Sequence, residues 1–182
     1  MHTQQLAFID TETTGLDVEK HEIIQIGCVL VNQEHASTAV NFTVADEFEI
    51  KIKPERIEDA EMVALRINGY DPADWVFAYT LKEAMTLFAE KTEGAVMVGH
   101  NLPFDYAFLM KAFSTTGVPN KMHYHKLDTI SVAFAKSKKR DDIDKFSLYH
   151  LCNIFGIENK KAHTALADAR ATYELYKRLM AL

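Results

Sequence analysis

The sequence predicts an α/β fold, a mixed sheet with helices packed on its faces. Two observations carry this. The chain opens with three apolar or alternating runs of strand character, and it then alternates helical periodicity with short β-like runs. Leu6 to Asp10 (LAFID) and Ile23 to Asn32 (IIQIGCVLVN) read as two strands joined by a turn that carries TTGLD. Asn41 to Lys53 alternates through Phe42, Val44, Phe48, Ile50 and Ile52, a third strand with a break near Asp46. These three are expected to form an antiparallel meander.

Apolar spacing becomes helical over Glu58 to Asn68 and Leu81 to Lys91, with Gly69 and Gly94 as stop signals. Ala95 to Gly99 is a short strand. Pro103 then occupies a first-turn position of a helix (PFDYAFLMKAF) that is apolar almost all round. Tyr124 to Asp128 is a fifth strand, followed by helices over Thr129 to Ser137, Ser147 to Phe155 and Thr164 to Leu182. No internal repeat or linker interrupts this series.

Length and composition set the outer limits. A chain of 182 residues with 48% hydrophobic and 25% charged residues, 7 Gly and 4 Pro is expected to be one folded domain, residues 1–182, and neither collagen-like nor disordered. Lys+Arg 20 against Asp+Glu 26 gives a net charge of -6, so bulk charge does not draw the molecule to nucleic acid or to an anionic membrane. Any nucleic-acid role must come from a local site. The N-terminus lacks a basic then apolar leader and no apolar run reaches membrane-spanning length, so a cytoplasmic protein with no membrane partner is expected. Cys28 and Cys152 lie in apolar runs without metal-site spacing and read as reduced core thiols.

The informative residues are single acids in apolar surroundings. Asp10 ends its strand run and Glu12 lies two residues on, so both carboxylates leave one face if the strand continues. Asp105 is the only charge between Asn101 and Met110. On the last helix, 100° steps put Asp168 opposite Arg170, Glu174, Lys177 and Arg178, hence inward. Each acid alone could meet a base or cap a helix. Jointly they lack basic neighbours, with no Arg or Lys from Gly94 to Met110, and a divalent cation with hard oxygen ligands, Mg²⁺ or Mn²⁺, answers the cost of burying them. His163 falls on the connection into that helix, just before Thr164 as N-cap, where a titratable base could approach bound metals.

Taken in order, Asp10-Thr11-Glu12-Thr13-Thr14-Gly15-Leu16, His100-Asn101-x-x-Phe104-Asp105 and His163-x4-Asp168 resemble the three motifs of the DEDDh (DnaQ-like) 3'-5' exonuclease family. Asp128-Thr129 resembles a further family feature. The resemblance spans nearly the whole chain and implies a ribonuclease H-like fold, a five-stranded mixed sheet whose first three strands are antiparallel. It implies two divalent cations, Mg²⁺ or Mn²⁺, held by Asp10, Glu12, Asp105 and Asp168, with Asp10 bridging them and His163 as general base. In the sister class a Tyr stands four residues before the last Asp; that position is Thr164 here, so the histidine class is implied. It further implies that Thr13 and Leu16 contact the terminal nucleotide, and that His100, Asn101 and Phe104 line the strand's path.

The activity so implied is release of nucleoside 5'-monophosphates from single-stranded 3' ends, DNA before RNA, in DNA repair or replication. The rivals are an oligoribonuclease-like exoribonuclease, a proofreading subunit docked to a DNA polymerase, a catalytically dead adaptor and a general metal phosphohydrolase. The complete acid set with His163 argues against a dead enzyme, and the lack of a phosphate-cradling Gly-rich loop against the last. The series ends at Leu182 directly after the third motif, so a free-standing nuclease is expected over a polymerase-bound one. Several family members dimerise, but no homodimer interface is legible. Lys160 and Lys161 read either as phosphate contacts or as solvated loop. The run KSKKR-DDID, residues 136–144, reads either as a solvated loop or as one that tracks a strand.

Overall fold

The computed structural model describes residues 4–35, 40–138, 140–159 and 164–182. Its strands are β1 (Leu6–Thr13), β2 (Ile23–His35), β3 (Val40–Lys51), β4 (Val96–Gly99) and β5 (Lys126–Asp128). They form one sheet in the order β3-β2-β1-β4-β5. The first three strands pair antiparallel, and β4 joins β1, and β5 joins β4, in parallel. This is the mixed sheet the sequence predicts. The expected break near Asp46 is a β-bulge: Leu30 pairs with Asp46 and Val31 with Val44, which leaves Ala45 as the extra residue while β3 continues.

The helices are α1 (Met62–Ile67), α2 (Leu81–Lys91), α3 (Leu102–Thr116), α4 (Thr129–Lys136), α5 (Leu148–Phe155) and α6 (Ala165–Met180). Where a continuous helix over Glu58 to Asn68 was expected, a 3-10 turn at Ile57–Asp59 precedes a shorter α1. Ala60 is extended and the Glu61 N–H donates to Thr14 O, so a tie to the turn after β1 pulls the chain off the helical path. The fifth strand begins at Lys126, not Tyr124, because His123, Tyr124 and His125 stack on one another and the His125 N–H turns back to His123 Nδ1.

Alternation along β1 and β2 divides the core. Ala7, Ile9, Ile26 and Cys28 face α2 and α3, against Met85, Phe88, Leu109 and Phe113. Leu6, Phe8, Val29 and Val31 face α6, where the rings of Tyr173 and Tyr176 pack tilted against Phe8. Outside α6, Leu175 and Leu179 meet Ala133 of α4 and Leu151 of α5. Both cysteines are buried free thiols. Among the described residues, no helix is long and apolar enough to cross a membrane.

Candidate active site

β1 runs three residues beyond the LAFID stretch, and this extension carries the site. Leu6, Phe8, Asp10 and Glu12 share the face that lies under α6. The first two are core and the last two are carboxylates emerging where the core ends. Asp168, in the first turn of α6, meets them from above. One carboxylate oxygen from each of Asp10, Glu12 and Asp168 lies within 4.8 Å of the other two. Asp105 approaches from the opposite face: it is 3% exposed, and its Oδ1 accepts from the Thr11 N–H at 2.8 Å and the Thr11 hydroxyl at 2.7 Å. Carboxylates from both faces of the sheet therefore converge on the C-terminal end of β1.

Their electrostatics follow. Burial, then the charges of Asp105, Asp168 and Glu12, pushes Asp10 well above the usual carboxylate range. Burial, then Asp168 and Asp105, raises Glu12 from 4.5 to about 7. Asp105 is raised by burial although the two Thr11 hydrogen bonds oppose the shift. Clustered acids that resist ionising together are a pre-formed demand for positive charge.

Three contacts place Asp168. Gly27 lies opposite Asp10 in the β1–β2 ladder, and a Cβ there would stand 2.1 Å from the Ala165 carbonyl carbon and 2.2 Å from the Leu166 nitrogen. Only glycine lets the α6 terminus come this close to the sheet. Gln25 Oε1 accepts from the Ala165 N–H at 2.9 Å. Asn159 Nδ2 donates to Asp168 Oδ1 at 2.5 Å.

The start of α3 is held equally firmly. Asn101 adopts a left-handed conformation, φ 63°, and its N–H and that of Leu102 donate to Asp128 Oδ1 at 3.0 and 3.3 Å. The same carboxylate caps α4 through Ile130 and Ser131. This is the structural content of Asp128-Thr129. His100 is half-buried, with Nε2 2.8 Å from Phe146 O and Nδ1 2.9 Å from the Thr129 hydroxyl. A carbonyl only accepts, so Nε2 donates to Phe146 O; burial lowers the ring's pKa, and the Thr129 hydroxyl that faces Nδ1 also donates to Gly99 O at 3.2 Å.

The turn after β1 presents Leu16, 75% exposed, beside the acids. Thr13 is buried and its hydroxyl donates to Gly15 O at 2.8 Å, while Thr14 Oγ1 accepts from the Glu22 N–H at 2.9 Å. His21 packs against Gly15 so closely that a Cβ there would stand 2.4 Å from its ring, and its Nδ1 accepts from the Asp17 N–H. Lys111 of α3 donates to the carbonyls of Val18 and Glu19. Leu16 is thus an apolar side chain on a braced turn.

Of the predicted site residues, Asp10, Glu12 and Asp168 meet directly and Asp105 stands behind Thr11. Thr13 shapes the Leu16 turn, and His100 and Asn101 build the β4–α3 turn. Phe104 is half-buried with its ring 4.9 Å from that of Phe108. His163, Lys160 and Lys161 lie outside the described residues. Sequence reasoning missed Gln25, Gly27, Lys111 and Asn159. A signal existed for Gly27, an isolated glycine in a β-branched run, which marks a close backbone approach. None marked the other three.

Comparison with known proteins agrees with this geometry. The family model RNase_T, described as Exonuclease, matches residues 7–176. DNA polymerase III subunit epsilon of Escherichia coli (strain K12) is 31% identical over 186 residues, covering 96% of this chain and 70% of that protein. DNA polymerase III PolC-type of Caldanaerobacter subterraneus subsp. tengcongensis is 27% identical, covering 97% of this chain but 12% of that protein. A crystal structure of E. coli exonuclease I in complex with a dT13 oligonucleotide superposes with a TM-score of 0.76 at 19% identity, over 97% of this chain and 41% of that one, a likeness of fold. The chain thus spans only part of the length of several proteins it matches. The convergent acids, the ribonuclease H-like sheet and the match along nearly its whole length establish that this chain belongs to the DEDDh (DnaQ-like) exonuclease family.

Proposed function

We propose that the chain is a 3'-5' exonuclease that removes nucleoside 5'-monophosphates from single-stranded 3' ends, with DNA as substrate. The observation that carries this reading is the convergence of Asp10, Glu12 and Asp168, backed by Asp105, beside the exposed Leu16. The donor set fits divalent cations: hard, mutually repelling oxygen ligands, of which Asp10 and Glu12 are raised in pKa by burial and then by the neighbouring charges. Asp10, Glu12, Asp105 and Asp168 would hold two ions, Mg²⁺ or Mn²⁺. Such ions supply Lewis acidity to a phosphodiester and lower the pKa of an attacking water.

The chain's own groups do the rest. Leu16 offers an apolar surface for the terminal base, on a turn shaped by Thr13 and braced by His21 and Lys111. His100, Asn101 and Phe104 border the strand's path. His163 takes the proton of the attacking water as its oxygen bonds to phosphorus and the bond to the 3' oxygen of the preceding nucleotide breaks. The DNA preference rests on relatives named as DNA polymerase subunits and on exonuclease I structures described with dT13 and dA16 oligonucleotides. Docking to a DNA polymerase, of which the epsilon relative is by name a subunit, is the second reading, tested by co-purification.

The test is incubation of matched 5'-labelled DNA and RNA single strands with Mg²⁺ or Mn²⁺, beside Asp168→Ala. A ladder shortening from the 3' end, lost in the variant, is expected. Undiminished cleavage by Asp168→Ala would overturn the assignment, and faster turnover of RNA would transfer it to the exoribonuclease reading.

A further inference from the structure

Beyond the terminal-nucleotide turn, one more surface adjoins the acids. A cleft of about 180 Å³ has Asp168 and Asn159 at one end, Cys152 and Ile157 along its floor, and Tyr149 of α5 at its rim. Asp168 therefore faces two ways, toward Asp10 and Glu12 and into this cleft. Tyr149 is 76% exposed, although its neighbours Leu151 and Cys152 on α5 are buried. The exposed ring and the Asp168 carboxylate thus line one and the same cleft.

Position along the sheet edge indicates what passes there. The Leu16 turn connects β1 to β2, so it lies on the β2 side of the acids. The loop entering α5 lies on the β4 side, because Phe146 O accepts from His100, which directly follows β4. A strand whose last base rests on Leu16 must leave the acids on the far side, and α5 is the element that stands there.

Charge fits the same path. Lys145, exposed just before α5, makes no ion pair with any described residue, while Asp142 pairs with Arg140 and Asp144 lies 3.0 Å from His150 Nε2. Lys136 and Lys138 are also exposed on this side.

Resting on the exonuclease reading, we propose that the single strand 5' of the scissile phosphodiester crosses the α5 edge, where Tyr149 stacks on a base and Lys145 meets the backbone. Stacking on an aromatic face is tolerant of sequence because every base has a π-face. The platform therefore gives grip on a strand rather than choice among bases. It also makes efficient cleavage depend on nucleotides upstream of the one removed.

The test compares a 20-nucleotide oligothymidylate with an aryl ester of thymidine 5'-monophosphate, a phosphodiester with no upstream strand, for the full chain and for Tyr149→Ala and Tyr149→Phe. The full chain prefers the oligomer, and in Tyr149→Ala the ratio of the two kcat/KM values falls about tenfold, through KM for the oligomer, as expected for one lost stack. Tyr149→Phe keeps the ratio. Lys145→Gln weakens the salt dependence of oligomer binding. A ratio within twofold of the full chain's in Tyr149→Ala, or a Phe variant as impaired as the Ala variant, would overturn the platform and leave the exonuclease reading standing. Hydrolysis of neither substrate by the unaltered chain would overturn both.

Discussion

Replacing Gly27 by alanine perturbs the site from beneath without touching a carboxylate. The new Cβ would stand 2.1 Å from the Ala165 carbonyl carbon, 2.2 Å from the Leu166 nitrogen and 2.3 Å from the Ala165 oxygen. All three are backbone atoms, so no rotamer change relieves the clash. Ordinary contact begins at 3.4 Å, so the first turn of α6 must retreat by more than about 1 Å. Asp168 lies in that turn and moves with it away from Asp10 and Glu12. A displacement of about 1 Å in a positioning group costs on the order of 100-fold in rate, whereas overpacking costs about 1–3 kcal/mol of stability. The expected result is a kcat on labelled single-stranded DNA lowered by about two orders of magnitude, with a melting temperature down by several degrees and unchanged far-UV circular dichroism. Gln25→Leu, which removes the acceptor for the Ala165 N–H, should lower the rate in the same direction. Gly117→Ala is the control: it strains the left-handed cap of α3 at φ +68°, costs about 1 kcal/mol and leaves kcat unchanged. A well-folded Gly27→Ala protein with the parent kcat would refute the claim that this close approach positions Asp168.

Two further outcomes follow from the same geometry. With chelator present, the raised carboxyls of Asp10, Glu12 and Asp105 make the folded state hold more protons than the unfolded one. The contribution of Glu12 and Asp105 is complete below the ordinary carboxylate range and is lost as pH rises through about 7, and Asp10, raised too, acts in the same direction, so the melting temperature falls as pH rises over that window. Mg²⁺ added at pH 8 restores it and, added nearer pH 6.5 in weak buffer, releases protons; a melting temperature that rises with pH under chelation would contradict this. Lys111→Met frees the carbonyls of Val18 and Glu19, loosens the turn that presents Leu16, and is expected to raise KM for single-stranded DNA several-fold with little change in kcat.

Much of this was legible in the chain. The strand runs and helical periodicities are local signals, and they reproduce the sheet order's ingredients because each element buries one face whose period is written in its own residues. Glu58 to Asn68 misled because its periodicity is helical while a long-range hydrogen bond from Glu61 to Thr14 breaks it. The acids were recognisable because a charge in an apolar run is costly wherever the run folds. Their supports were not: Asn159, Lys111 and Gln25 are ordinary polar residues whose roles exist only once α6 and α3 are docked.

By itself the sequence determined the element types and which carboxylates would be costly to bury, since hydrophobic period and the cost of buried charge act on residues one at a time, and its three motifs carried the resemblance to the family. Only the tertiary structure decided that the acids arrive from both faces of β1, that Gly27 sets the distance at which Asp168 arrives, and that Tyr149 stands on the far side of the site from Leu16. Those are relations between elements distant in the chain. They depend on register, crossing and approach, which no single segment encodes.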